Sequence, residues 1–224
     1  VYYGANNTSP MPDADKVNIR IAIMSMRGPV IYSTDGSSGN TMTYINGTPG
    51  TFTITGVASM GFTYAYDKSG AHLNSTGMQV NTSATQDLIM LTTSRKISGT
   101  VTMGASCVAG GQSKDVMVMA MPDVVDTGNT GFKEVNPAFF RTNGSCVATY
   151  SVAVPINGTY RVEAHIPPDF SASSVTSSDY TDPSSLQVAI TDSALTATGK
   201  NFIFPAATHK IMGLVQKPGG FGAG

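Results

Sequence analysis

One short stretch occurs twice, and its placement constrains the fold more than any other feature of the chain. Arg95-Lys96-Ile97-Ser98-Gly99-Thr100-Val101-Thr102 stands in the middle, and His209-Lys210-Ile211-Met212-Gly213-Leu214-Val215-Gln216 stands near the end. Both read basic-Lys-Ile-x-Gly-x-Val. The middle copy opens a long segment full of strand signals, whereas only Lys217 to Gly224 follow the second copy. A domain-opening strand therefore recurs with almost no chain behind it. The simplest reading is that it completes a sandwich elsewhere, in the next molecule.

The surrounding sequence repeats as well. Asp87-Leu88-Ile89-Met90 and Asn201-Phe202-Ile203-Phe204 stand 114 residues apart, the same interval that separates Lys96 from Lys210. Thr51-Phe52-Thr53-Ile54 matches Thr149-Tyr150-Ser151-Val152, and Lys16-Val17 opens an alternating run as Asp115-Val116 does. Ile19, Ile21 and Ile23 alternate with Arg20, Ala22 and Met24, the period of a strand buried on one face. Asn157-Gly158 between Tyr150–Val154 and Tyr160–Ala164 predicts a hairpin. Short strands separated by Gly, Pro and Asn turns, with no sustained helical period, predict an all-β chain of sandwich type. The expected organisation is two tandem β-sandwich domains, 1–94 and 95–208, with a donor strand and Gly-rich tail over 209–224.

The second repeat resembles a known family through Lys96–Val101, Asp115–Val118, Ala148–Val152 and Asn157–Val162. These segments look like the carboxypeptidase-regulatory-like domain. The resemblance implies a small Ig-like or prealbumin-like sandwich in a secreted or surface protein, and it implies no activity. It is weaker over 15–94. A related group, the collagen-adhesin B-type domains, forms Lys–Asn isopeptide bonds beside a buried glutamate four residues after a strand aromatic. Here Tyr160 is followed at that place by Ala164, and Glu163 is one residue early, on the other face. Isopeptides are not expected.

Composition narrows the function. Charged residues make up 12% and net charge is −1, so no basic field suits nucleic acid and no polybasic run suits a membrane surface. No stretch is long and apolar enough to span a bilayer. The chain starts at Val1 and is read as a processed form. Asn6, Asn7, Asn46, Asn74, Asn81, Asn143 and Asn157 begin Asn-x-Ser/Thr triplets. They are candidate N-glycosylation sites of an extracellular surface protein, although chance accounts for such triplets in a chain this rich in Asn, Ser and Thr. Cys107 and Cys146 are the two cysteines. A disulfide between them fits an exported protein, and two unrelated buried thiols are the alternative.

Catalytic patterns are missing. His72, His165 and His209 have no ligand spacing to one another, and Gly36-Ser37-Ser38-Gly39 is one residue short of a nucleophile elbow. Asp13 with Asp15, Asp123 with Asp126, and Asp179 with Asp182 read as solvated turn residues. The methionines at 24, 26, 117, 119 and 121 read as adaptable packing. Tyr2, Tyr3, Tyr64 and Tyr66 are candidates for a subunit contact or a glycan-binding face. The chain is read as a non-enzyme with no cofactor and no metal.

The first repeat begins Val1-Tyr2-Tyr3-Gly4 and shows no full opening strand before Lys16. A sandwich short of a strand exposes an edge, and the spare copy could fill it, with Ile211, Gly213 and Val215 facing inward. Head-to-tail contacts of that kind propagate into filaments. The expected partners are copies of itself, with glycans as further candidates. The same residues also fit a piece of a longer tandem array, or a tail that fills nothing. A monomeric adhesion or carbohydrate-binding module is the competing function, and an accessory domain pair from a secreted hydrolase is a third.

Overall fold

The computed structural model describes residues 1–4, 8–25, 28–55, 57, 61–80, 85–104, 115–123, 137–167 and 180–208. These residues are all-β apart from one 3-10 turn, Asp13–Val17. In the N-terminal half the strands are β1 (Tyr2–Tyr3), β2 (Ile19–Ser25), β3 (Gly28–Ser33), β4 (Asn40–Thr41), β5 (Thr43–Tyr44), β6 (Phe52–Thr53), β7 (Gly61–Asp67), β8 (Met78–Val80) and β9 (Ile89–Met90). In the C-terminal half they are β10 (Lys96–Met103), β11 (Asp115–Pro122), β12 (Ala138–Arg141), β13 (Val147–Ala153), β14 (Gly158–His165), β15 (Leu186–Ile190), β16 (Thr196–Ala197) and β17 (Phe202–Phe204).

The C-terminal half pairs two sheets. One runs β12-β11-β14-β15 and the other is organised around β10, which takes β13 on one edge and β16 and β17 on the other. Alternation decides what goes inside. Ile97 and Val101 of β10, Val116, Val118 and Ala120 of β11, and Tyr160 and Val162 of β14 are all sealed from solvent. The strand β10 runs antiparallel to β13 and parallel to β17, so the first strand of this half holds β13 and the last strand in one sheet.

The N-terminal half repeats the first of these sheets as β4-β3-β2-β7-β8. Its second sheet is broken. Among the described residues β1 pairs only with β9 and β5 only with β6, and the two ribbons meet at the hydrogen bond from Val1 N to the Gly50 carbonyl rather than through a strand pairing.

Three expectations change here. Val17 lies in the 3-10 turn and is 46% exposed, so the alternating run starts at Ile19. The strand β2, expected to be buried on one face, is buried on both, and so is much of β7. Ile19 and Ile21 face a small core with Met11, Met42, Leu88 and Met90, while Ala22, Tyr64 and Tyr66 face the larger C-terminal cluster. The run Ile19–Ile23 is therefore buried on both faces. Arg20 among them is satisfied by the Val17 and Ile19 carbonyls, Ser37 Oγ at 2.8 Å and the Asp35 carboxylate. Finally, Asn157-Gly158 does not close a hairpin. β13 pairs with β10 and β14 with β11, so the turn carries the chain from one sheet to the other. Tyr160 Oη pins that crossing by donating to the Ile156 carbonyl at 2.8 Å.

Candidate strand-acceptor edge

The two halves share the same pairings around the ends of their opening strands. In the C-terminal half Thr102 pairs with Ile203 and Met103 with Phe204. In the N-terminal half Tyr2 pairs with Ile89 and Tyr3 with Met90, in the same parallel sense. Gly104 N donates to the Phe204 carbonyl at 2.8 Å, and Gly4 N donates to the Met90 carbonyl at 3.0 Å. On the other side Val101 faces Ala148, while Val1 N donates to the Gly50 carbonyl at 2.6 Å. Val1-Tyr2-Tyr3-Gly4 thus occupies the place of Val101-Thr102-Met103-Gly104. The sequence reading saw too little strand here: the last four residues of an opening strand are present and seated. Tyr3 holds them, its ring stacked 3.7 Å from that of His72, whose Nδ1 lies 2.7 Å from Asp67 Oδ2. Burial alone would raise the Asp67 pKa, but hydrogen bonds from His72 and Ser69 outweigh it and hold the carboxyl below its ordinary value.

Among the described residues the places of Lys96 to Thr100 have no counterpart in this sheet. In the C-terminal half those five residues pair with Ala153, Val152, Ser151, Tyr150 and Thr149. Their equivalents are Thr55, Ile54, Thr53, Phe52 and Thr51. The Gly50 carbonyl points to Val1, whereas the Thr51 carbonyl points away, accepting from Ile45 N at 2.9 Å. Strand alternation then sends the N–H and C=O groups of Phe52 and Ile54 along the Val1 edge. Among the described residues no strand covers that edge. The side chains show the same gap. Tyr150 and Val152 are buried at 1% and 7% exposure, whereas Phe52 and Ile54 are only partly buried against the small core.

The far wall of the gap matches too. Asn201 Oδ1 accepts from Thr100 N at 3.0 Å and from Thr100 Oγ1 at 3.1 Å, and Lys200 N donates to the Ser98 carbonyl at 3.1 Å. Gln86 and Asp87 stand in the corresponding places. Gly99 is required because a Cβ there would lie 2.2 Å from the Lys200 carbonyl oxygen. The second copy of the stretch keeps that glycine as Gly213.

The other expected site residues fall as follows. Ile211, Gly213 and Val215 lie outside the described residues, as do Cys107, Asn6, Asn7, Asn81, Asp126, Asp179, Met26 and His209. Cys146 is buried with φ 65°, and no free thiol occurs among the described residues. Asn46 and Asn143 are exposed. Asn157 Nδ2 donates to Asp192 at 2.6 Å. Tyr64 and Tyr66 are not a surface: they are 1% and 0% exposed, and their hydroxyls donate to the Pro137 and Phe139 carbonyls. No metal-holding group of His, Cys, Asp or Glu occurs among the described residues, and no helix there is long and apolar enough to cross a membrane. Sequence reasoning missed the Tyr3–His72–Asp67 anchor, since nothing in the spacing of those three residues signals it.

No protein-family model and no curated protein matches the chain. Solved structures give remote likenesses. A D295N mutant of the shaft pilin SpaA from Lactobacillus rhamnosus GG is 7% identical with TM-score 0.26, covering 88% of this chain and 95% of its own. The E269A mutant of the same pilin is 7% identical with TM-score 0.27, covering 95% and 96%. The TIE protein of Bacillus anthracis is 12% identical with TM-score 0.23, covering 88% of this chain and 32% of its own. Likenesses of this size decide nothing about function.

Proposed function

We propose that this protein is a structural subunit of an extracellular filament, polymerising head-to-tail as each copy donates the strand at 210–216 to the N-terminal half of the next. One observation carries the reading. Among the described residues no strand covers the edge of Phe52–Ile54 at the places where Lys96–Thr100 close the other half, and the chain carries a second copy of that closing stretch. Strand addition would satisfy the backbone groups of Phe52 and Ile54 and cover their side chains. Donor and acceptor are different surfaces, so the contact is heterologous and propagates. The Cys107–Cys146 disulfide belongs to the same reading of an exported subunit, as do glycans at the exposed Asn46 and Asn143.

Electron microscopy of the purified protein with and without Lys210–Gly224 tests this. Filaments from the full chain and none from the truncated one are expected. Filaments that persist after truncation would sink the proposal, as would a full-length protein that stays monomeric at high concentration. The latter result is also expected if residues preceding Val1 in a longer chain fill the edge, or if the chain's own tail folds back onto it.

A further inference from the structure

We propose that a cavity between the two halves is a binding site for a hydroxylated carboxylate of monosaccharide size, a uronic acid. The site lies between β2 and β7 on one side and β11 and β12 on the other, and it does not depend on strand donation. The cavity measures about 180 Å³, below the roughly 300 Å³ at which drug-sized pockets begin. It therefore suits one small ring and not a longer chain. Its charges are uneven, since the cations Arg20, Lys68 and Arg141 line it beside a single carboxylate, Asp115.

Arg20 is fully engaged by the Val17 and Ile19 carbonyls, Ser37 and Asp35. The other three groups are not. Lys68 Nζ stands 3.9 Å from Asp35 and Arg141 Nε 3.7 Å from Asp115, both beyond hydrogen-bond distance. Among the described residues no hydrogen bond reaches the Asp115 carboxyl. Burial raises its pKa, and the Arg141 charge offsets only part of that. Burial and then the Arg20 charge lower the pKa of Lys68, against the pull of Asp35 and Asp67. All three side chains are about one-third exposed, within reach of a solute. Charged groups left in this state at a cavity mark a binding site. A ligand carboxylate answers Lys68 and Arg141, and the guanidinium can hold it through two parallel N–H···O bonds. A ligand hydroxyl donates to Asp115. A neutral sugar would leave the two cations unanswered, and a bare carboxylate would leave Asp115 unanswered. Tyr66 and Phe140 give the cavity an apolar floor for the C–H groups of the ring. The loop Gly36-Ser37-Ser38-Gly39, too short for a nucleophile elbow, shapes the wall. Gly39 N donates to the Gly36 carbonyl at 2.9 Å, and a Cβ on Gly39 would collide with Arg141 Nη1. The glycine makes room for the guanidinium.

Saturation-transfer difference NMR on the full-length chain, monomer or polymer, tests the site with sodium glucuronate, glucose and acetate as probes. Glucuronate should bind with a Kd of about 1 mM, the scale expected of so small a ligand. Glucose lacks the carboxylate and acetate lacks the hydroxyls, so each should bind at least about tenfold more weakly. Lys68→Gln and Arg141→Gln should each weaken glucuronate at least about tenfold. Arg161→Gln, exposed on β14 and outside the cavity, should stay within about twofold. Lys68 is partly exposed, so its variant reads the site even where Arg141→Gln fails to fold. No glucuronate signal at about 10 mM, ten times the expected Kd, would overturn the proposal. Glucose or acetate binding as tightly as glucuronate would overturn it too, as would binding indifferent to Lys68→Gln, and the charges would then be a staple between the halves and nothing more.

Discussion

His165 lies between two carboxylates, with Nδ1 2.8 Å from Asp182 and Nε2 3.3 Å from Glu163, and Arg161 lies beside Glu163 at 3.1 Å. Burial alone would lower its pKa, but the two carboxylates hold the protonated ring and raise it. The contact ties the segment after Tyr180 to β14. Because the folded pKa lies above the unfolded value of about 6.5, the stabilisation is complete below that pH. It is lost as the pH rises through the folded value. The ring is partly exposed, so the effect is small, of order 1–2 °C in Tm. Thermal melts at pH 5.5 and 8 should show wild type losing more Tm than His165→Gln over that interval. Equal slopes in the two proteins would mean that the cluster contributes nothing.

At the scale of elements, β10 explains what a sheet gains from its opening strand. It is the strand that joins β13 to β16 and β17, whereas among the described residues of the other half β1 with β9 and β5 with β6 form two ribbons that meet at the Val1–Gly50 hydrogen bond. Gly99 is its tightest point, beneath the Lys200 carbonyl, to which Tyr150 Oη also donates. Gly99→Ala must push that carbonyl aside and should cost about 1–3 kcal/mol in chemical denaturation; a loss under about 0.5 kcal/mol would show that the crossing yields freely. Much of this was legible beforehand. The alternation of Val116, Val118 and Ala120, and the repeat interval between Asp87 and Asn201, place strands where they occur. The Asn157-Gly158 turn misled because a turn signal fixes where the chain reverses, not which sheet receives the next strand. Phe52 and Ile54 read as an ordinary strand. That no described strand covers their edge becomes visible only when the pairing of β6 is set beside that of β13.

The whole molecule is less divided than its repeats. Ala22, Ile31, Tyr64 and Tyr66 from the N-terminal half belong to the buried cluster that holds Phe139, Phe140, Tyr150 and Phe202. Alternation could not announce this, because a strand buried on its second face by small and aromatic residues still reads as amphipathic. The tyrosine hydroxyls close the junction on backbone carbonyls of residues 137 and 139, at 2.7 and 2.8 Å. Shared apolar burial couples the two halves energetically, so they should melt in one calorimetric transition rather than two. Tyr66→Phe removes one hydroxyl from the fully buried seam and leaves the Phe139 carbonyl unsatisfied, which should cost about 1–3 kcal/mol. If the halves are coupled, that loss lowers the single transition as a unit and leaves its enthalpy close to wild type. Two resolved transitions, with Tyr66→Phe moving only one, would instead mean that each half stands alone and that the seam is a contact between independent bodies. The distinction bears on the proposed filament, in which a stiff junction within each subunit would leave the donated strand as the joint at which the polymer bends.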